Sequence, residues 1–175
     1  MTALKIGATT LTVGQYSLTA GKLTINQGII QVAGSHDITV IADGYPDSTV
    51  SQVVKAGAFV EANSSASPGN VLPGQGPIVT LTAKDQYNNL IPGYKFMLDV
   101  NITNNGGFNE YVRFENANYT STTLNLSSSQ TTTYASGPNI GKAYVAIQIT
   151  SVDPGDSASI TWKDREGNPI FVPGL

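Results

Sequence analysis

Two stretches of the chain repeat one polar pattern, in which Asn stands four positions after Asp. AKDQYNNLIPG contains Asp85 and Asn89, and WKDREGNPIFVPG contains Asp164 and Asn168. Ca²⁺ takes roughly six to eight oxygen ligands and prefers flexible loops that supply carboxylates and amides. Both pairs are therefore candidate calcium ligands. The same residue types also build turns, because Asp and Asn side chains accept backbone N–H groups and tolerate left-handed backbone.

A second pair of carboxylates stands in the turn-forming stretch SVDPGDS. Asp153 and Asp156 flank Pro-Gly there, so both carboxylates belong at one loop tip. Two carboxylates on one loop can share a cation, and with Asp85 they form the set of candidate Ca²⁺ ligands. Solvated turn residues are the alternative interpretation. The sequence contains no pattern that requires any other cofactor.

Aromatic side chains suggest a different kind of contact. Tyr111 and Tyr119 lie in the Ser-, Thr- and Asn-rich stretch 101–134, where exposed rings in loops can stack on sugars. They are candidate ligand-binding residues for a glycan. Trp162 differs, since it ends an alternating run with Ala158 and Ile160 and is expected to pack in a core.

Composition argues against several functional classes. The chain of 175 residues has no cysteine and one histidine, His36, which removes thiol chemistry and most imidazole catalysis. The carboxylates fall in no catalytic motif, so we expect no enzymatic activity. A net charge of -3 leaves no basic patch for nucleic acid. No apolar run approaches the roughly 18 residues that a membrane span needs.

Period-two alternation runs through most of the chain and predicts an all-β protein, with two antiparallel β-sandwich, immunoglobulin-like domains in tandem. KAYVAIQIT and SASITW are the clearest strands, and the Pro-Gly turn between them predicts a hairpin. IIQVA is predicted as one of several short strands upstream. The Ser-, Pro- and Gly-rich segment 61–77 is predicted as a linker with a loosely held first strand. The expected domains are 1–58 and 59–175.

Residues 3–54 resemble a repeat of haemoglobin-interacting type, found in surface proteins of Gram-positive bacteria. The likeness rests on LKIGATTLTVGQYSLTAGKLTI and HDITVIADGYPDSTVSQVV. Domain two resembles invasin-like bacterial immunoglobulin-like domains, through VTLTAKDQYNNLIPGYKFML and GKAYVAIQITSVDPGDSASITW. The chain opens directly on a strand-like segment, so we expect a piece of a longer protein.

Both resemblances imply an extracellular location on a bacterial surface. Tandem modules of these kinds are similar to the chains of S-layer proteins, so the expected function is spacing and self-association in a surface lattice. The expected partners are then neighbouring domains of the parent protein and other copies of it. An adhesin or carbohydrate-binding accessory module is the alternative, with cell-wall or host glycans as partners.

Overall fold

The computed structural model describes residues 1–68, 78–103, 110–114, 119–121, 126–149 and 157–170. This part of the chain is all-β, with antiparallel sheets and a single 3₁₀ turn at Glu61–Asn63, so the predicted fold class is confirmed. The chain divides into two compact units, unit 1 at Met1–Ala56 and unit 2 at Gly57–Leu175. The boundary expected from the sequence lay two residues later.

Unit 1 consists of a four-stranded sheet and a separate hairpin. Its strands are β1 (Ala3–Ile6), β2 (Thr9–Thr10), β3 (Tyr16–Thr19), β4 (Lys22–Ile25), β5 (Gly34–Ile41) and β6 (Ser48–Val54). The sheet has the order β2-β1-β5-β6, and β3 pairs with β4 across a two-residue turn. Ala20 and Gly21 both have positive φ there, as a tight hairpin turn requires.

The core of unit 1 is small because few side chains are enclosed. Alternation along β1 and β5 puts Leu4 opposite Val40 and Ile6 opposite Ile38 on one face of the sheet. Leu4, Leu11 and Ile38 are buried, and partly buried side chains pack against them: Ile6, Tyr16, Leu23, Ile25, Ile29 and Val40. Three of these partners, Tyr16, Leu23 and Ile25, come from the β3-β4 hairpin.

The predicted strand IIQVA, residues 29–33, is wrong. Gly28 turns the chain with φ of +83°, and the Ile29 N–H donates to the Asn26 carbonyl at 3.3 Å. Ile29 and Ile30 are both half-buried, so the apolar side chains do not alternate between two faces. The segment is a loop that leads into β5.

Unit 2 is a sandwich of two antiparallel sheets. Its strands are β7 (Ser65–Pro68), β8 (Ile78–Thr82), β9 (Lys95–Thr103), β10 (Glu110–Phe114), β11 (Tyr119–Ser121), β12 (Leu126–Thr132), β13 (Lys142–Ile149), β14 (Ser157–Lys163) and β15 (Pro169–Ile170). One sheet has the order β11-β10-β13-β8-β7 and the other β12-β9-β14-β15. Both contribute to one core: Val79, Leu81, Ala83, Tyr94, Phe96, Leu98, Ala143, Val145, Trp162 and Ile170.

The predicted hairpin between β13 and β14 is wrong, although both strands exist. β13 pairs with β8 and β10, whereas β14 pairs with β9 and β15 in the other sheet. β13 and β14 thus belong to opposite sheets of the sandwich. Each contributes a buried side chain to the shared core, Val145 from β13 and Trp162 from β14. The prediction that Trp162 packs in a core is confirmed, since it is 1% exposed.

Two segments contain more regular structure than the sequence predicted. The segment predicted as a linker with a loosely held first strand holds the 3₁₀ turn and β7, which pairs with β8 from Ser65 to Pro68. In the Ser-, Thr- and Asn-rich stretch 101–134, EYVRFEN at 110–116 is also predicted as a strand, and the structure has β10 there together with β11 and β12. These three strands belong to the two sheets of unit 2.

Candidate functional site

Asp85 begins a closed turn between β8 and β9. Its Oδ1 accepts the N–H groups of Tyr87 at 2.8 Å and Asn89 at 2.9 Å, and its Oδ2 accepts the Asn89 side-chain amide at 2.9 Å. The Asp85 N–H donates to the Asn89 carbonyl at 3.0 Å. Asn88 has a φ of +65°, a conformation that Asn tolerates better than most residues. The carboxylate therefore organises the five-residue turn.

Asp164 begins a turn of the same design between β14 and β15. Its Oδ1 accepts the N–H groups of Glu166 at 3.0 Å and Asn168 at 2.8 Å, and its Oδ2 accepts the Asn168 amide at 2.9 Å. The Asp164 N–H donates to the Asn168 carbonyl at 2.9 Å. Gly167 takes the left-handed position with φ of +90°. The sequence repeat thus corresponds to a structural repeat.

The two turns differ in what surrounds them. Asp85 is 1% exposed, and its Oδ2 also accepts the Gly57 N–H at 2.8 Å, from outside the turn. The Asn63 amide donates to the Asp85 carbonyl at 2.7 Å. Asp164 is half-buried, and its carboxylate accepts only donors of its own turn in the part of the chain that the structure describes. Asp85 therefore joins the beginning of unit 2 to the turn.

The pKa of the Asp85 carboxyl reflects two opposing effects. Desolvation by burial raises it, but hydrogen bonds from the Asn89 side chain and from the N–H groups of Gly57, Asn89 and Tyr87 favour the carboxylate. The net result is a pKa below the ordinary value. The Asp164 carboxyl behaves in the same way, because desolvation is outweighed by hydrogen bonds from Asn168, Glu166 and Gly167. Both side chains are therefore ionised acceptors.

The geometry of Asp85 favours the turn interpretation over the calcium interpretation. Both carboxylate oxygens already accept N–H donors, whereas a cation needs free lone pairs. The described residues contain no cluster of three or more acidic or histidine side chains suited to a metal. Asp153 and Asp156 lie outside the described residues, so their role as Ca²⁺ ligands stays a prediction.

The two tyrosines predicted to contact glycans occupy different register positions. Tyr111 lies opposite Gln148, and Tyr119 lies opposite Phe114, which in turn lies opposite the buried Val145. Glycan contact stays a prediction for both residues.

Unit 1 exposes many large apolar side chains. Val13 is 94% exposed, Tyr45 76% and Val32 64%, and four more belong to the same class: Met1, Leu18, Val50 and Val53. Among the described residues of unit 2, Tyr87 alone joins them. Exposed apolar side chains mark an interaction site where they form one contiguous patch, whereas single scattered ones are common on protein surfaces.

A cavity of about 340 Å³ opens on the surface of unit 1. Its wall is mostly apolar and comes from β1, β2, β5 and the two loops that follow β2 and β4. The lining residues are Ile6, Thr9, Leu11, Gln15, Gly28, Ile29, Ile30, Gln31, Val32 and His36. His36 Nε2 donates to the Val32 carbonyl at 2.8 Å, since a carbonyl can only accept.

Sequence reasoning did not find this cavity. It assigned 29–33 to a strand and treated His36 only as a lone histidine. Two adjacent isoleucines after a glycine were the available signal, because Ile29-Ile30 breaks the alternation of the neighbouring segments. The position of His36 opposite Gln52 in the sheet depends on strand pairing, which the sequence does not state.

Comparison with known proteins gives one family for unit 1. Residues 1–55 match the family described as heme-binding protein Shr-like, Hb-interacting domain. The matched part contains the cavity and all seven exposed apolar side chains of unit 1. Neither the curated proteins nor the solved structures give a match. The invasin-like resemblance of unit 2 stays a prediction.

A search of the described residues for membrane-crossing helices finds none that is both long and apolar enough.

Proposed function

We propose that this chain belongs to a bacterial cell-surface protein and that unit 1 is its binding module for a host protein. The supporting observation is that residues 1–55 match a domain described as Hb-interacting and form the unit with the exposed apolar side chains. Haemoglobin is therefore the first partner to test. The proposed activity is binding rather than catalysis.

The surface chemistry of unit 1 suits a protein partner. Val13 and Tyr45 lie in turns, Leu18 lies in β3, and all three side chains are exposed. Apolar and aromatic side chains are common in the buried centre of protein interfaces, within a polar rim, and Tyr is among the residues that contribute most to affinity. Unit 1 carries three lysines and three aspartates, so its attraction to a partner does not depend on net side-chain charge.

The comparisons support the adhesin alternative better than the S-layer lattice. They name a domain that interacts with another protein and no lattice protein. Unit 2 then acts as a structural module that presents unit 1, and neighbouring domains of the parent protein remain expected partners. Its buried sandwich core and its two turns, each held by hydrogen bonds to an Asp carboxylate, suit that role.

Binding of the whole chain to immobilised haemoglobin, measured by biolayer interferometry, tests the proposal. We expect saturable binding that falls at least about tenfold in the combined variant Val13→Asp, Leu18→Asp, Tyr45→Asp, because these side chains would contact the partner. The control is Tyr87→Asp, an exposed aromatic side chain of unit 2, which should leave the affinity unchanged.

Two results would overturn the proposal. One is the absence of saturable haemoglobin binding by the unaltered chain. The other is equal binding to serum albumin, which would show that the exposed apolar side chains bind proteins nonspecifically. Circular dichroism of each variant must match that of the unaltered chain, so that loss of fold does not imitate loss of contact.

A further inference from the structure

We propose that the cavity of unit 1 receives one neutral, apolar side chain of the partner protein and so anchors the complex. This inference rests on the proposed function, since it identifies where the partner is held. The anchoring group would be of leucine or aromatic type. Anchors of this kind commonly occupy the centre of a protein interface.

The size of the cavity limits what can enter. Its volume of about 340 Å³ lies at the small end of the range for pockets that hold small molecules, which begins near roughly 300 Å³. Ile6, Leu11 and Ile29 form an apolar wall. Placing one large apolar side chain against such a wall removes apolar surface from water, which favours binding. The cavity therefore has ample room for one large apolar side chain of a partner.

The charge of the cavity limits the chemistry of the occupant. The lining contains no Asp, Glu, Lys or Arg, and its polar members include the neutral side chains of Thr9, Gln15 and Gln31. A charged group that entered would lose its hydration without gaining an opposite charge. An uncharged apolar group has no such hydration to lose, so the lining favours an apolar occupant.

Hydrogen bonds hold the loop that forms one wall. His36 Nε2 donates to the Val32 carbonyl at 2.8 Å, which ties the loop to β5. The Gln31 side-chain amide donates to the Gly28 carbonyl at 3.1 Å, within the loop. A wall that is already held in place reduces the ordering cost of binding. His36 is therefore a positioning residue for the cavity.

Val32 allows a sharp test, because unit 2 offers a control. Val32 lines the cavity and is 64% exposed, whereas Tyr87 is an exposed apolar side chain of unit 2 and does not line it. Both are changed to Asp in the whole chain, and haemoglobin binding is measured by biolayer interferometry. We expect Val32→Asp to weaken binding at least about tenfold, mainly through faster dissociation, and Tyr87→Asp to change it less than about twofold.

The role of His36 is tested with two variants. His36→Gln keeps an N–H donor for the Val32 carbonyl, and His36→Phe removes it. We expect Gln to retain affinity within about threefold and Phe to raise the dissociation rate by about tenfold. Equal dissociation rates in the two variants would contradict the positioning role.

A small-molecule probe tests whether the cavity binds an apolar group, whichever protein the partner is. N-acetyl-phenylalaninamide, a neutral mimic of an aromatic side chain, is titrated into the whole chain while methyl NMR signals are followed. Saturable shifts confined to Ile6, Leu11 and Ile29 support the inference even if haemoglobin does not bind. Their absence overturns it, as does haemoglobin binding that is unchanged in Val32→Asp. In the second case the proposed function itself still holds.

Haem is the competing occupant and has a distinct signature. Titration with haemin would give a saturable one-to-one Soret shift that His36→Ala abolishes, if His36 ligated iron in the cavity. We expect no such shift, because the cavity is small and His36 Nε2 already donates to Val32. A His36-dependent Soret shift would overturn the inference.

Discussion

Asp85 and Asp164 begin turns with the same internal hydrogen bonds, but among the described residues only the Asp85 carboxylate also accepts a donor from outside its turn. In both, one carboxylate oxygen accepts two backbone N–H groups and the other accepts an Asn side chain. Asp85 adds the Gly57 N–H and is 1% exposed, while Asp164 is half-buried. The hydrogen bonds within each five-residue segment thus form the turn. Contacts from elsewhere in unit 2 determine how much the Asp carboxylate contributes to the stability of that unit.

The contribution of each turn to the stability of unit 2 can be measured without a signal from unit 1. Trp162, the single tryptophan of the chain, is buried in the core of unit 2, so its fluorescence reports the unfolding of that unit. Urea unfolding followed at Trp162 gives the free energy of unfolding from the midpoint and slope. The changes below should have decreasing effects on that quantity.

Removing the two carboxylates should give the largest difference. Asp85→Ala removes the buried carboxylate that accepts the N–H groups of Gly57, Tyr87 and Asn89, and a hydrogen bond to a charged group contributes about 1.5–3 kcal/mol. We expect a total of about 3 kcal/mol or more. Asp164→Ala should cost about 1 kcal/mol, since water reaches its turn. Equal losses in the two variants would contradict the role given to enclosure.

Replacing the two asparagines should give a smaller difference with the same sign. Asn89→Asp places a second carboxylate within hydrogen-bonding distance of Asp85 Oδ2, where the amide donates at 2.9 Å. We expect a loss of about 2 kcal/mol at neutral pH, and under about 1 kcal/mol for the more exposed Asn168→Asp. Two close carboxylates raise each other's pKa, so the penalty should shrink as pH falls toward about 4. A penalty independent of pH would exclude charge repulsion as its cause.

Acid should weaken unit 2 through both turns. The pKa values of Asp85 and Asp164 are lowered in the folded protein from an ordinary value of 3.8, so the unfolded chain binds protons first as pH falls. This contribution to stability is complete above the unfolded pKa and is lost as pH falls through the folded pKa. Urea midpoints between about pH 5 and pH 2 should fall less steeply in Asp85→Asn than in the unaltered chain. The double variant with Asp164→Asn should be flatter still, and an unchanged slope would contradict the assignment.

The left-handed positions should give the smallest effects. Gly167→Ala introduces a Cβ at φ of +90° and should cost about 1 kcal/mol. Asn88→Gly relieves a φ of +65° and should change stability by less than about 0.5 kcal/mol. Urea midpoints of the two variants measure this, and a larger effect for Asn88→Gly would show that its side chain does more than tolerate the turn.

Much of the fold could be predicted from alternation and turn residues. The all-β class follows because side chains in a half-buried strand must alternate, as Ala143 and Val145 do in β13. The pairing of β13 and β14 could not be predicted, because a Pro-Gly turn fixes a reversal but not the sheet to which the next strand belongs. The loop 29–33 was missed because isoleucine is as common in strands as in apolar walls.

In the candidate sites too, local features could be predicted from the sequence and long-range contacts could not. Asp and Asn at a spacing of four residues were recognised, and their alternative use in a turn was correctly considered, because that chemistry is local. Enclosure of Asp85 by Gly57 joins residues 28 positions apart, so it depends on how the chain packs. The cavity likewise needs β1, β2, β5 and two loops together, and no short stretch of sequence contains it.

The sequence by itself determined the all-β class, the two Asp-Asn turns and the likeness of residues 1–55 to a haemoglobin-interacting domain, since each depends on neighbouring residues or on one continuous pattern. Only the tertiary structure decided which turn is buried, which strands share a sheet, and where unit 1 leaves an open apolar cavity. The physical reason is that burial depends on contacts between segments that lie far apart along the chain.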